Sequence, residues 1–92
     1  MIRSFANDIT ERIFRGEEVE GVPLPAQQLA LARLQILNAA AELGDLEAVT
    51  TNGLEFHGDK RGYHCLRLGG MARICFRWEK GHAYEVELIE YH

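Results

Sequence analysis

Ninety-two residues, 47% apolar and 26% charged, make a chain of ordinary globular composition, short enough for one domain with a small core. No uncharged apolar run approaches the ~18 residues of a membrane span, and the start, Met1-Ile2-Arg3-Ser4-Phe5, lacks the basic region and apolar stretch of a signal peptide. Two cysteines, Cys65 and Cys75, are too few for a disulfide framework, so reduced thiols in a cytoplasmic protein are expected, and a net charge of −4 argues against a nucleic-acid binder.

Taken in chain order, Met1–Phe5 reads as a short strand. Asp8–Arg15 reads as a short helix with Ile9 and Ile13 on one side, an acid at its positive N-terminal end and Gly16 to stop it. An acidic loop, Glu17-Glu18-Val19-Glu20-Gly21, follows. Pro25 opens the strongest helix signal, because proline suits a first turn whose N–H groups have no partner. The stretch Ala26–Leu43 is rich in helix formers, with Ala30, Leu34, Leu37 and Ala41 as an apolar stripe and Gly44 placed to end it. Beyond Gly44 the period becomes alternating. Leu54–His57 reads as a strand, Gly58-Asp59-Lys60-Arg61-Gly62 as a loop, and Tyr63–Leu68 with Ala72–Trp78 as a hairpin around Gly69-Gly70. Glu79-Lys80-Gly81-His82 then turns into a last strand over 83–91. In Ala72–Trp78 the alternation puts Ala72, Ile74, Phe76 and Trp78 on one face and Arg73, Cys75 and Arg77 on the other. The order predicts an α+β domain: a small antiparallel-rich sheet with two N-terminal helices packed on one face.

Charge is unevenly placed. Residues 59–80 hold Lys60, Arg61, Arg67, Arg73, Arg77 and Lys80 against Asp59 and Glu79, a local net of +4 inside an acidic chain. The sequence then finishes Glu90-Tyr91-His92, a carboxylate, a phenol and an imidazole in a row. If the last strand pairs with the one before it, this finish comes close to Arg73. Such a set suits metal-free RNA cleavage. Histidine and tyrosine can move the protons of the 2′-hydroxyl and of the leaving 5′-oxygen. Arginine offers two donors to phosphate oxygens, and the 2′-hydroxyl explains why RNA would be cut and DNA spared. Residue types alone leave the bland reading open, in which the charges belong to a solvated hairpin. The four histidines and two cysteines show no metal-ligand spacing, so neither a metal nor another cofactor is expected, and both cysteines are expected to behave as small buried hydrophobes.

The chain resembles HigB-type toxins of the RelE/ParE superfamily. The likeness lies in the Met-Ile-Arg-Ser-Phe start, Leu-x-x-x-Gly-Asp-x-x-Gly over Leu54–Gly62, Ala72-Arg73-Ile74-Cys75-Phe76-Arg77-Trp78, and the Val-Glu-Leu-Ile-Glu-Tyr-His finish. The resemblance implies a RelE-like fold and the toxin of a type II toxin–antitoxin system that cuts mRNA on the ribosome. It also implies a HigA-type helix-turn-helix antitoxin that neutralises it and joins it on operator DNA, with no membrane involved. By resemblance His92 and Tyr91 are catalytic, Arg73 holds the scissile phosphate, and Glu90 stands where the family commonly has Asp. Lys60, Arg61, Arg77 and His57 are the expected RNA contacts. Phosphate contacts dominate RNA affinity, so the net acidity predicts a weak enzyme that draws its affinity from the ribosome. The alternative is a non-catalytic member of the superfamily that binds a protein target or serves as a corepressor with its antitoxin.

Overall fold

The structure, a computed structural model, describes residues 1–49, 54–56, 63–69 and 72–90. Three helices precede a β-meander: α1 (Asp8–Phe14), α2 (Leu24–Ala39), α3 (Leu43–Val49), β1 (Leu54–Phe56), β2 (Tyr63–Gly69), β3 (Ala72–Glu79) and β4 (His82–Glu90). The four strands pair antiparallel in the order β1-β2-β3-β4. Helices α1 and α2 pack against each other and against the sheet, so the α+β expectation holds.

Local chemistry explains each element. Asn7 caps α1, its side-chain oxygen accepting the Thr10 N–H at 2.9 Å, and Gly16 takes over beyond the helix with φ +86°. Pro25 sits in the first turn of α2, and the predicted stripe is real for Ala30, Leu34 and Leu37, all at 0% exposure. Its fourth member is not: Ala41 is exposed, and Ala40 is buried instead. The reason is a break. Ala40 is extended (φ −68°, ψ 134°), α2 ends at Ala39, and the chain starts a third helix that the sequence reading missed. Gly44, expected as a stop, lies inside α3. Asp45 makes the turn, its carboxylate accepting the Ala41 and Glu42 N–H groups at 3.0 Å each, and Leu46 is then fully buried.

The Met1–Phe5 strand exists as two isolated parallel bridges on the free edge of β4, Ile2 to Ala83 and Phe5 to Val86. Four backbone hydrogen bonds of 2.7–3.1 Å hold it there, and Asn38 of α2 accepts the Ile2 N–H at 2.9 Å. This segment covers what would be an open sheet edge. The β3–β4 hairpin turns on Lys80 (φ 51°) and Gly81 (φ 81°), the two positive φ values a tight two-residue turn requires. The core lies between sheet and helices. Ile13, Leu34, Leu37, Leu46, Leu66, Ile74, Phe76 and Val86 fill it, with Trp78 packed at its margin.

One expectation is overturned. Cys65 and Cys75 are joined in a disulfide. They are directly opposed across β2 and β3 with Cα atoms 4.0 Å apart, close to the spacing of a non-hydrogen-bonded antiparallel pair, which brings two side chains of one face together. Counting cysteines could not reveal this; strand register could.

Candidate nucleic-acid interface

Among the described residues the helices pack on the sheet face that carries Leu66, Ile74, Phe76 and Val86, and on the opposite face Cys65 is still only 1% exposed. The register arranges that opposite face, the one without helices, in rows. One row holds Tyr63 of β2, Arg77 of β3 and Tyr84 of β4; the next holds Cys65, Cys75 and Glu87; the third holds Arg67, Arg73 and Ile89.

Arg73 stands directly opposite Arg67. Like charges in opposed positions destabilise a strand pair, and the same placement puts two arginines at one end of the face. Arg67 was not singled out from sequence, although the alternation Tyr63, Cys65, Arg67 was there to be read. On its other side Arg73 faces Ile89, and Ala72 faces Glu90, so the start of β3 and the end of β4 run together. The adjacency expected between Arg73 and the end of the last strand is thus present as far as Glu90. His92, Tyr91, Lys60, Arg61 and His57 lie outside the described residues.

Arg77 shares the face of Arg73, and its partners are defined. It donates to the Glu79 carboxylate at 2.7 Å, and its guanidinium carbon sits 5.1 Å from the centre of the Tyr84 ring. Beside it Tyr63 donates its hydroxyl to the Glu85 carboxylate, across the width of β3. That reach depends on a bulge. Cys75 pairs with Glu87 but Arg77 with Tyr84, so β4 carries one extra residue here, and Glu85 takes φ 54°. The bulge keeps Ala83 and Val86 both at 0% exposure on the helix side while Tyr84 and Glu87 fall on the opposite side. A positive φ at glutamate is uncommon, and nothing in the sequence signals it. The hydrogen bond to Glu85, then burial, hold the Tyr63 phenol above its ordinary pKa, so it remains a neutral donor at physiological pH.

The two described histidines are turned elsewhere. His64 lies on the helix-facing side near Phe76, with ring centres 6.0 Å apart, and burial lowers its pKa. His82 meets Arg3 at 3.4 Å by the β3–β4 turn; burial, then Arg3 and the N-terminal amine, lower its pKa. Among the described residues no three His, Cys, Asp or Glu side chains group in a way that could hold a metal ion, and no helix is long and apolar enough to cross a membrane.

The elements, and a sheet face with Arg67 and Arg73 at one end and Tyr63 and Tyr84 at the other, define at the level of class a small α+β protein. No family model matches the sequence. The chain is 29% identical over 92 residues, the whole of both chains, to a Proteus vulgaris protein named Endoribonuclease HigB.

Proposed function

We propose that this chain is the toxin of a type II toxin–antitoxin system, an endoribonuclease of HigB type that cuts mRNA on the ribosome. The observation that carries the reading is the strand register. Arg73, paired with Arg67, faces Ile89, and Glu90, Tyr91 and His92 follow Ile89 in the chain. The full-length likeness to a protein named as an endoribonuclease supports the same reading from a separate direction.

In this proposal Arg73 and Arg67 clamp the scissile phosphate and offset charge developing on its oxygens. His92 and Tyr91 move the two protons, with Glu90 orienting the imidazole, and no metal takes part. Lys60, Arg61 and His57 contact the RNA strand. Arg77 keeps its ion pair with Glu79 and acts through the surface around it. A HigA-type antitoxin holds the toxin inactive and carries it to operator DNA, and the cytoplasm is where it acts.

The test adds the protein and its His92→Gln variant to a translating extract and maps mRNA 5′ ends by primer extension. Cuts with wild type alone, at about 10²–10⁴ times the rate of the variant, are expected for loss of a proton-transfer group. Intact mRNA with both proteins overturns the enzyme reading and favours a non-catalytic partner-binding role. Equal cutting by both removes His92 from the mechanism.

A further inference from the structure

We infer that Tyr63 and Tyr84, held on either side of Arg77 on the sheet face without helices, form a stacking platform for a nucleobase of single-stranded RNA. The inference rests on the proposed function for its setting and adds a base-recognition subsite to it.

The two ends of this face offer different chemistry. At the Arg67–Arg73 end two arginines stand opposite each other, which suits a phosphate. At the other end Arg77 is bound to Glu79 and lies against the Tyr84 ring, with Glu85 and Glu87 nearby on β4. A phosphate brought there would meet carboxylates. A base would meet two aromatic rings, a guanidinium plane and carboxylate oxygens able to accept from its amino and imino hydrogens. Single-stranded RNA is bound in this manner, by bases splayed onto tyrosine and arginine planes.

The rings are also fixed in place. The Tyr63 hydroxyl is tied to Glu85, whose bulged backbone N–H in turn donates to the Ser4 hydroxyl at 2.9 Å. Tyr84 is braced by Arg77. Immobilised rings bind a flat partner with little further loss of rotamer freedom. The purely structural reading, a network that only joins β2 to β4, accounts for the hydrogen bond. It gives no reason for two tyrosines to share one row of the face without helices. Arg77 lies four residue steps beyond Arg73 along β3, roughly 13 Å at strand spacing, a distance that a short extended stretch of RNA covers. One strand can therefore seat a phosphate at the arginine pair and a base at the tyrosines.

The decisive measurement is binding of a labelled single-stranded RNA hexanucleotide of mixed sequence to the isolated full chain at low salt. Stacking on one aromatic side chain supports a loss of about tenfold or more on truncation, so Tyr84→Ala and Tyr63→Ala should each weaken binding by that factor. Tyr84→Phe and Tyr63→Phe keep the ring and should stay within about threefold of wild type, since stacking needs the ring's face and not the hydroxyl. A thermal melt of each variant accompanies the titration. Should an alanine variant fail to fold, photocrosslinking of a 4-thiouridine-containing hexanucleotide to wild type, mapped by mass spectrometry, replaces it, with adducts expected at Tyr63 or Tyr84. Unchanged binding by folded alanine variants overturns the inference. So do phenylalanine variants as weak as alanine ones, no binding by wild type, and adducts confined to other residues. Primer extension in the translating extract separates the two levels. Cleavage by wild type with silent tyrosines sinks the platform alone, whereas tyrosine-dependent binding without cleavage sinks the enzyme reading alone.

Discussion

The two faces of β3 differ in almost every respect. Inward, Ile74 and Phe76 are at 0% exposure among helix side chains. Outward, Arg73, Cys75 and Arg77 are half-buried. The inner face stabilises the molecule through buried apolar area. The outer face spends stability, by opposing Arg73 to Arg67 and by holding Glu85 at a positive φ. A strand whose faces divide the labour this way lets stability and activity be changed separately, by substituting one residue on each side. Arg73→Ala should lower the cleavage rate by about 10²–10³, the range for losing a group that stabilises transition-state charge, with a stability change well below that of Phe76→Ala. Phe76→Ala should destabilise by about 3–5 kcal/mol in urea titration, enough to unfold much of a small domain. Loss of cleavage at 25 °C by a fully folded Phe76→Ala, or a loss of stability in Arg73→Ala as large as that of Phe76→Ala, would contradict the division.

How much of this was legible in the sequence depends on what each feature rests on. The alternation Ala72-Arg73-Ile74-Cys75-Phe76-Arg77-Trp78 depends only on the period of a strand, and it assigned both faces correctly. The Lys80-Gly81 turn was equally readable, because its glycine and two-residue length admit few alternatives. The α2–α3 break was not. Ala39-Ala40-Ala41-Glu42 has strong helix propensity, and the chain leaves the helix there through an extended Ala40 while the Asp45 side chain takes up the backbone donors beyond it. The Cys65–Cys75 bond and the Tyr63–Glu85 contact need register, and register past a bulge is not a local property. Of the candidate site, Arg73 and Arg77 were found in sequence and fall on one face; Arg67 and the tyrosines were found only once β2 and β4 were placed beside them.

The disulfide crosses the outer face between the arginine pair and the tyrosine row, so it tests whether that face contributes to stability at all. It closes a loop over a sequence separation of 10, and loop-closure entropy assigns such a link about 2–3 kcal/mol. Melting with and without reductant should show the reduced protein less stable by that amount. An unchanged midpoint would mean that the hairpin alone already fixes these two positions.

Away from the sheet, Gln27 offers a smaller effect on the same ledger of stability. It is 7% exposed, and its amide accepts the Val19 N–H at 3.1 Å and donates to the Val19 and Val22 carbonyls at 2.7 Å each. The acidic loop Glu17–Gly21 is therefore fastened to α2 by one side chain. Gln27→Ala leaves buried backbone groups of Val19 without partners and should cost about 1–3 kcal/mol. Hydrogen exchange should show the Val19 amide losing protection first, while cleavage by the folded fraction is unchanged. Glu at this position should be worse than Ala, because a buried carboxylate would face two carbonyl oxygens.

The smallest effect separates the two faces by pH. Burial disfavours the charged imidazole of His64, on the helix-facing side, and lowers its pKa from the ordinary 6.5. Below about 6.5 the unfolded chain takes up a proton that the folded chain resists, so this contribution to stability is complete above that pH and is lost as pH falls through the folded value. His82 is shifted the same way by burial, Arg3 and the N-terminal amine, so it must be controlled. Melts of wild type, His64→Leu and His82→Gln between pH 7.5 and 5.5, above the ordinary range of carboxylates at about 4, should show wild type losing stability toward acid. His64→Leu should flatten that slope. A slope that steepens in His64→Leu, or that disappears only in His82→Gln, would place the acid sensitivity at the turn beside Arg3 and not behind the sheet.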